Sequence, residues 1–591
     1  MSSPYFLAEV SFEAGNKVGG IWTVLTSKSE YIKQKFGPNY LAVGFYNPTQ
    51  CAIEFVEAPA PQFVKDAIAD IKLDGVKIYF GRWASGSDVN LLLIDSKEFE
   101  QRHGNEIKKE FWDKFKIDSL NAPEDYTEPL AWSYTAGVFL ASLSKAVHMP
   151  MVAQVHEWLS AGALLYLKSS NVRVPTVFTV HATVLGRAIS YNGGDTLAFV
   201  NSNTSVGPSL PYQYGVAAKH LTEKAAALNA TVFTTVSKIV AKEAEVMLGR
   251  KTDFVTINGI DLKDLPAPVD LDALRNSAQA KFENFVNGYF LPYYDFDAKK
   301  ATVFLTGGRY EFYGKGFDLF IDALGRLNKT LSDDNYVVAF IAVPSGTVGT
   351  KSDVVANYLT YLGIKATLHE DIESFDKLVS SNPTTASAVM DKAYSKIVND
   401  TKRMTSQLRR SKLVNPPLCP FILSYSENDD QILSRLRENG LDNSPNCHVK
   451  VIYYPKYLTL GDELLNLTYH EALSIAVAGF FLSKYEPFGY TPLEAASYMS
   501  IAFTTDQGGF GEYCINEIKE QSGGIFVERL INRKRDDVVG QISRDMLKIV
   551  TTNQDELLKM RVSARELSEQ FGWEKFLPIY LQAYDAALKR I

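Results

Sequence analysis

The sequence predicts an α/β protein with two parallel β-sheets, one in each half of its 591 residues. In roughly the first 260 residues, apolar strand-like runs such as YLAVGFY, VNLLLID, MVAQVH, TVFTVH and ATVFTTV alternate with longer helical stretches. The pattern breaks between about 265 and 300 and restarts at ATVFLTGGRYE, and a second series follows through YVVAFIAV, HVKVIYY, AVAGFFLS and SIAFTT. A chain of this length is also too long for a single hydrophobic core.

We therefore divide the chain into a first domain over residues 1–275, a second domain over 276–570, and a final helix over 571–591 that crosses back to the first domain. Residues from about 350 to 415 carry no strand signal, and we predict a helical insertion there in the second domain. The insertion is either an oligomerisation or lid element or a solvated helical hairpin, and the sequence leaves both open.

Composition and charge exclude several classes of protein. Hydrophobic residues make up 46% and charged residues 22% of the chain, as in an ordinary globular protein. The net charge of -7 argues against a general nucleic-acid binder. We find no signal-peptide pattern and no stretch of about twenty apolar residues, and the four scattered cysteines fit a reducing compartment. We therefore expect a cytoplasmic protein that binds neither membranes nor nucleic acids.

A pair of glutamates in KYEPFGYTPLEAA, Glu486 and Glu494, is the strongest local signal. A buried strand, a Pro/Gly turn and a helix beginning at Pro492 would place one carboxylate at the strand end and the other one turn into the helix. The second carboxylate could accept hydrogen bonds from ribose hydroxyls. The helix N-terminus would offer an anionic leaving group three backbone N–H groups, those of Gly489, Tyr490 and Thr491. This arrangement predicts a nucleotide site.

Two glycine-rich loops follow predicted strands. In TGGRYEFYGKGFD, Arg309 and Lys315 could clamp the two phosphates of a nucleotide diphosphate without a metal ion. In GNKVGGIWTVL, Gly19 and Gly20 would let backbone N–H groups approach a phosphate, and Lys17 would add positive charge. The alternative for the second loop is a tight turn without a ligand.

Two histidine motifs each end an apolar strand, where open α/β sheets bind their ligands. In TVHATVLGR, His181 is a candidate for sugar contact and Arg187 for phosphate contact. In VHEW, His156 and Glu157 are candidates for the acceptor or sugar side. A buried structural histidine is the alternative for His156.

Motifs for a metal or an organic cofactor do not occur. The only DxD-like sequences, Asp270–Asp272 and Asp295–Asp297, lie between the predicted domains, where a metal–diphosphate site is implausible. Walker A, GxSxG, HExxH and complete GxGxxG motifs are all missing from the sequence. We therefore expect neither a catalytic metal nor a cofactor.

Taken together, NKVGGIWTVL, HEW, FTVHATVLGR, FTTVSKIVAKEAE, TINGID, GGRYEFYGKGFD and YEPFGYTPLEAA resemble the glycogen synthases of glycosyltransferase family 3, in the animal and fungal type. The resemblance runs in order through nearly the whole chain. It implies a GT-B fold, in which two Rossmann-like domains face a cleft. It also implies transfer of glucose from UDP-glucose to the non-reducing 4-hydroxyl of an α-1,4-glucan with retention.

The resemblance assigns roles to individual residues. Arg309 and Lys315 would neutralise the diphosphate, and Glu486 and His181 would line the glucose. The remaining donor-site residues would be Glu494 on the ribose, Tyr469 stacked on the uracil, Asn258 at the cleft floor, and Lys17, Gly19, Gly20 and Arg187 from the other domain. A homotetramer built through the helical insertion and a glycogenin-like primer are also implied. The family's C-terminal arginine cluster, which reads glucose 6-phosphate, is reduced here to Arg561 and Arg565, so the resemblance does not extend to activation by this effector.

Three alternatives compete with this interpretation. An ADP-glucose-dependent starch or glycogen synthase is one, because Tyr469 would stack on adenine as well as on uracil. A catalytically silent glucan-binding scaffold is another; its mark would be the loss of Arg309, Lys315 or Glu486, and all three are present. A phosphorylase would require a pyridoxal phosphate lysine in a much longer chain.

Overall fold

The computed structural model describes residues 5–332, 335–381, 386–408, 414–462, 464–518 and 523–590. Over these ranges the chain forms a nine-stranded sheet, a six-stranded sheet and a two-stranded sheet. The strands of the first sheet are β1 (Phe6–Val10), β2 (Tyr40–Phe45), β3 (Phe55–Glu57), β4 (Lys77–Trp83), β5 (Val89–Asp95), β6 (Met151–His156), β7 (Thr176–Val180), β8 (Val232–Thr235) and β9 (Phe254–Val255).

The strand order in the first sheet is β3-β4-β5-β2-β1-β6-β7-β8-β9. Neighbouring strands from β5 to β9 pair in parallel, and β4 runs antiparallel to both β3 and β5. The five apolar runs predicted in this half form β2, β5, β6, β7 and β8. From β1 the chain moves outward to β5 and then returns to the other side of β1 at β6. The order therefore reverses between β1 and β6, and such a reversal is where open α/β sheets bind ligands.

Helices cover both faces of this sheet. They are α1 (Gly20–Phe36), α2 (Pro48–Glu54), α3 (Gln62–Asp70), α4 (Lys97–Phe115), α5 (Glu124–Ala146), α6 (Glu157–Ser169), α7 (Val184–Tyr191), α8 (Thr196–Ser202), α9 (Leu210–Gln213), α10 (Ala217–Asn229) and α11 (Lys238–Leu248). Helices α5 and α6 approach closely because two glycines lie at their contact. A Cβ atom on Gly137 would lie 2.8 Å from Ala163 O, and one on Gly162 would overlap with Ser133 Oγ.

The second half contains β10 (Ala301–Gly307), β11 (Tyr336–Ala342), β12 (Thr347–Thr350), β13 (Phe421–Leu423), β14 (Val449–Tyr454), β15 (Ala478–Phe480), β16 (Ile501–Thr505) and β17 (Ile525–Glu528). Strands β12 and β13 form a small antiparallel pair. The six others form a parallel sheet in the order β14-β11-β10-β15-β16-β17. The reversal of order in this sheet lies between β10 and β15. The prediction of an α/β fold with parallel sheets is confirmed.

The helices of the second half are α12 (Pro268–Phe290), α13 (Phe317–Asn328), α14 (Ser352–Ser381), α15 (Ala386–Leu408), α16 (Gln431–Glu438), α17 (Tyr469–Ile475), α18 (Tyr490–Ser497), α19 (Gly509–Tyr513), α20 (Arg535–Thr551), α21 (Gln554–Glu569) and α22 (Trp573–Lys589). Helices α14 and α15 occupy the predicted insertion. The division proposed at 275/276 falls inside α12, because Pro268 begins this helix rather than breaking the chain. No helix in the described ranges is long and apolar enough to cross a membrane.

The last helix, α22, packs on the first sheet. Trp573 Nε1 donates a hydrogen bond to Ser27 Oγ at 3.0 Å, and Tyr580 OH donates to Thr256 O at 3.1 Å. One turn further on, Tyr584 OH donates to the Gln154 side chain. The three aromatic side chains are fully buried, so each adds a large apolar area and a satisfied polar group to the contact. This helix therefore ties the end of the chain to the first sheet.

Candidate functional site

The carboxyl-terminal edges of the two large sheets meet across a cleft. Ser237, directly after β8, donates from Oγ to Pro487 O at 2.7 Å. Tyr490, at the start of α18, donates from its hydroxyl to Gly259 O at 3.1 Å. Both contacts join a loop of the first sheet to the segment after β15, so the two points of strand-order reversal face the same space.

The centre of the second half of the site is an ion pair between two of the predicted residues. Lys315 Nζ lies 2.5 Å from Glu486 Oε2, and Ser483 Oγ donates to the same oxygen at 3.3 Å. The loop after β10 can reach the loop after β15 because of Gly316. This glycine has φ +68°, and a Cβ atom on it would overlap with Leu482 O. The fold thus brings Lys315 and Glu486 together at the reversal between β10 and β15.

Arg309 lies near Lys315 and is also paired with a carboxylate. Its guanidinium is 3.2 Å from Glu311 Oε1, and its side chain is 62% exposed. The aliphatic part of Lys315 runs beside Gly308, the residue before Arg309, with Cδ 3.8 Å from the position of a Cβ atom there. Both predicted phosphate ligands therefore lie on the same loop, and a diphosphate would have to compete with Glu311 and Glu486 for them.

Helix α18 begins at Tyr490, two residues before the predicted start, because Gly489 serves as N-cap with φ +110°. Glu494 lies one turn into the helix, as expected. Burial raises the pKa of Glu494 to about 7, and the charge of Lys17 opposes this shift. Burial raises the pKa of the Tyr469 hydroxyl, and the nearby Glu494 carboxylate raises it further. This hydroxyl is buried and has no hydrogen-bond partner among the described residues. Glu494, Tyr469 and Lys17 thus lie together.

The glycine pair of the first half is used differently from the prediction. Gly19 is the N-cap of α1, and its N–H donates to Glu13 Oε2 at 3.0 Å. The same oxygen accepts from Trp22 N at 2.8 Å. The chain's own carboxylate therefore fills the anion site at this helix N-terminus, and the Gly19 N–H is not free for a phosphate. Gly20 has open space around it, and Lys17 lies over the Trp22 ring.

His156 is buried at the end of β6. It is 1% exposed, and its two ring nitrogens contact His181 Nε2 at 2.9 Å and Glu9 Oε1 at 2.8 Å. Glu9 also accepts from Lys28 Nζ at 2.5 Å and from Tyr40 OH at 2.7 Å. The sequence did not indicate Glu9 or Lys28. Glu9 lies within the apolar strand β1 and Lys28 within helix α1, and no sequence pattern shows that the two side chains meet. Both ring nitrogens of His156 thus have protein partners, and a role on the acceptor side stays a prediction.

Glu157 is likewise turned inward. Its Oε1 accepts from His181 N at 2.9 Å and from Ala182 N at 3.0 Å, and burial raises its pKa to about 7. It therefore holds the turn that carries His181, and its role on the acceptor or sugar side stays a prediction. Arg187 lies on α7, and part of its side chain is exposed. Partial desolvation of the guanidinium lowers the pKa of Arg187, but Glu157, Tyr485, Glu311 and Glu223 together raise it more, so the guanidinium stays charged.

Asn258 is 3% exposed, and its Oδ1 accepts from Tyr580 OH of α22 at 3.3 Å. Its oxygen therefore contacts the last helix, and its place at the cleft floor stays a prediction. The next residue, Gly259, carries the carbonyl that Tyr490 contacts. Among the described residues, no cluster of three or more His, Cys, Asp or Glu side chains has metal-binding geometry.

The glycogen synthase family model matches residues 9–591. The chain belongs to the glycogen synthase family. Its similarity to curated relatives is also extensive. It is 30% identical to the glycogen (starch) synthase of Neurospora crassa over 603 residues, which cover 99% of this chain and 84% of that one. It is 30% identical to glycogen (starch) synthase isoform 2 of Saccharomyces cerevisiae, covering 99% of this chain and 86% of that one.

Solved structures agree with the fold. The catalytic domain of starch synthase IV from Arabidopsis thaliana, bound to ADP and acarbose, superposes with a TM-score of 0.53 at 13% identity and 100% coverage of both chains. The fold is therefore GT-B, as the resemblance implied, and the family prediction is confirmed. As a glycogen synthase family member, the protein is a glycosyltransferase with a nucleotide-sugar donor and a glucan acceptor.

In this family member the two C-terminal arginines are used internally. Arg561 donates to Met499 O and to Ser474 O, each at 2.7 Å. Arg565 donates to Ser497 O at 2.7 Å. Both guanidinium groups therefore bind backbone carbonyls at the C-terminal ends of the short helices α17 and α18, where positive charge is favourable.

Proposed function

We propose that this glycogen synthase family member transfers glucose from UDP-glucose to the non-reducing 4-hydroxyl of an α-1,4-glucan, with retention of the anomeric configuration. The observation that carries the proposal is the Lys315–Glu486 pair, 2.5 Å apart, at the strand-order reversal of the second sheet. A cation and a carboxylate at this point suit a reaction in which negative charge builds on a leaving phosphate while positive charge builds on a sugar ring.

The diphosphate would be held by Arg309 and Lys315. Each cation is now paired with a carboxylate, Glu311 or Glu486, and would exchange part of that pairing for charge-assisted hydrogen bonds to phosphate oxygens. Arg187 would approach from the other side of the cleft, since its side chain is exposed near Tyr485. These fixed charges would supply what a metal ion supplies in other transferases, so we expect metal-independent turnover.

The nucleoside would occupy the space beside α18. Tyr469 offers a ring for stacking on the base. Glu494 offers carboxylate oxygens for the ribose hydroxyls, and its pKa of about 7 leaves it partly protonated near neutral pH. The N-terminus of α18, at Gly489, Tyr490 and Thr491, would face the phosphates.

The glucosyl group would lie between Glu486 and His181. Because Glu486 Oε2 is paired with Lys315, the carboxylate is a poor nucleophile and a good orienting group. We therefore favour attack by the acceptor on the face from which the phosphate leaves. The acceptor 4-hydroxyl forms the new C1–O bond, the bond between C1 and the phosphate oxygen breaks, and that oxygen takes the hydroxyl proton.

The assembly and location expected for the family extend the proposal. Helices α14 and α15 expose Leu359, Ile372 and Tyr394, apolar side chains that an association between copies would cover. We propose a cytoplasmic homotetramer formed through this hairpin, which can act on a glycogenin-like primer as well as on free glucan. Light scattering of the purified protein measures its mass directly, and a monomer would contradict the assembly.

The test of the proposed reaction is nucleotide release from UDP-glucose and, separately, from ADP-glucose, with and without glycogen and with a chelator. We expect glycogen-dependent UDP release that the chelator leaves unchanged. NMR of the product should show a new α-1,4 linkage; a β linkage would contradict retention. A preference for ADP-glucose would change the donor, and glycogen binding without turnover would indicate a silent scaffold.

A further inference from the structure

Glu243 joins the two halves of the site through one carboxylate oxygen. It lies on α11 and is 2% exposed. Its Oε1 accepts a hydrogen bond from Tyr485 OH at 2.9 Å and another from Thr183 N at 3.3 Å. Thr183 Oγ1 donates to the same oxygen at short distance. Thr183 precedes α7 in the first half, whereas Tyr485 lies in the segment after β15 in the second.

The surrounding residues are shaped for this carboxylate. Thr183 Oγ1 accepts from Gly186 N at 3.0 Å, so its single hydroxyl hydrogen is free to point at Glu243. A Cβ atom on Gly186 would overlap with Glu243 Oε1, so the α7 turn can approach α11 only with glycine at this position.

The two residues that Glu243 holds are sequence neighbours of the residues proposed to contact glucose. Thr183 is two residues after His181, in a turn too short to move independently. Tyr485 directly precedes Glu486, whose carboxylate pairs with Lys315. A shift of Glu243 would therefore change the separation between His181 and Glu486.

The charges around Glu243 favour the joined arrangement. The titratable groups facing it are Glu223 on α10, Arg187 on α7 and Tyr485. Burial raises the pKa of Glu243 to about 7, whereas the hydrogen bonds from Thr183 and Tyr485 and the charge of Arg187 lower it. The hydrogen bonds from Thr183 and Tyr485 and the charge of Arg187 therefore favour the ionised carboxylate in the joined arrangement.

We propose that Glu243 is a positioning residue for glucosyl transfer, which holds the His181 turn and the Glu486 segment in register when the two halves close around the donor. The inference rests on the proposed function and adds to it a residue that contacts neither donor nor acceptor. Ser237 and Tyr490 also cross the cleft, but each donates to a backbone carbonyl. The Lys238–Glu517 ion pair, 2.6 Å long, joins two side chains across the halves as well, but these are 55% and 45% exposed, whereas Glu243 is buried.

The decisive variant is Tyr485→Phe, because it removes the hydroxyl and keeps the buried ring. Loss of a hydrogen bond to a charged acceptor should lower kcat by about tenfold or more, with the KM for UDP-glucose within about twofold of the unchanged protein. Glu243→Gln should also lower kcat, because a neutral amide oxygen is a weaker acceptor for the Thr183 and Tyr485 hydroxyls than a carboxylate. The double variant should be no worse than the more impaired single variant, since the two changes remove one interaction.

The matched control is Tyr212→Phe, which removes an exposed tyrosine hydroxyl that donates to Asp118 at 3.0 Å. It should leave kcat unchanged. A second readout avoids turnover: binding of UDP should slow hydrogen exchange of residues 181–187 in the unchanged protein, and Tyr485→Phe should bind UDP without this protection.

Wild-type kcat in Tyr485→Phe, or additive losses in the double variant, would overturn the role of Glu243. Absence of turnover in the unchanged protein would instead count against the proposed function. The two failures are therefore distinguishable in one set of assays.

Discussion

His156 Nδ1 lies 2.9 Å from His181 Nε2, and Glu9 Oε1 lies 2.8 Å from the other ring nitrogen of His156. Burial raises the pKa of Glu9, but the Lys28 charge and the His156 hydrogen bond lower it more, so Glu9 is an ionised acceptor. Burial lowers the pKa of both histidines, so both are neutral near pH 7. His156 must then donate to Glu9 from Nε2 and accept at Nδ1 from His181. This leaves His181 Nδ1 as a hydrogen-bond acceptor.

The Glu9–Lys28 pair is expected to be important for stability. Both side chains are fully buried, so Glu9→Gln would leave the Lys28 ammonium without its counter-charge. We expect a loss of about 3–5 kcal/mol in the stability of the first domain. The measurement is the Tm followed by calorimetry, which should fall by several degrees.

The matched control for Glu9→Gln is Asp125→Asn. Asp125 accepts from Lys219 at 2.6 Å, a distance close to that of the buried pair, but its side chain is 65% exposed. We expect a change of about 0–1 kcal/mol there. Equal Tm shifts in the two variants would contradict the argument from burial.

Removal of either proposed phosphate ligand should reduce turnover strongly. Lys315→Ala and Arg309→Ala would each delete a fixed positive charge where the leaving phosphate develops negative charge, and we expect a kcat loss on the order of 10²–10³. Steady-state kinetics with UDP-glucose and glycogen measures this loss. Lys329→Ala removes an exposed cation at the end of α13 and should change kcat little. Comparable losses in all three variants would indicate a general charge effect.

Much of the second half of the site could be predicted from the sequence. The strands before Arg309 and Glu486 are continuous apolar runs; a glycine-rich loop follows the first, and a segment with a Pro/Gly turn follows the second. Parallel strands place such loops at one edge of the sheet, so the pairing of Lys315 with Glu486 follows from local pattern and topology together.

The first half of the site could not be predicted in the same way. Whether Gly19 faces a phosphate depends on Glu13, and whether His156 faces a sugar depends on Glu9. Each of these partners is a buried carboxylate whose position depends on packing between separate segments. The sequence places His156 at the end of a strand, but it does not show which residues its ring nitrogens contact.

Glu494 should make donor binding depend on pH. Burial raises its pKa to about 7, so the carboxylate ionises as the pH rises through this value. The ionised form accepts hydrogen bonds from ribose hydroxyls at both oxygens, so the KM for UDP-glucose should fall as the pH rises from 6 to 8, a range of about one unit on each side of that pKa. Glu494→Gln should raise the KM and remove its pH dependence. A pH-dependent KM that survives in Glu494→Gln would assign the titration to another group.

Gly316 and Gly440 provide a matched pair for testing the approach of the two loops. Their φ values are nearly equal, +68° and +69°, but a Cβ atom on Gly316 would overlap with Leu482 O, whereas nothing lies within 4 Å of one on Gly440. Alanine at either position should cost about 1–2 kcal/mol for its left-handed backbone. Only Gly316→Ala should also push the Lys315 loop away from Glu486. Its kcat should therefore fall by about tenfold or more, as expected for the loss of a charged hydrogen bond. Thermal melts and kinetics on both variants separate the effects. A larger Tm shift and a kcat loss in Gly316→Ala alone would support the loop contact, whereas equal Tm shifts and equal kcat values would contradict it.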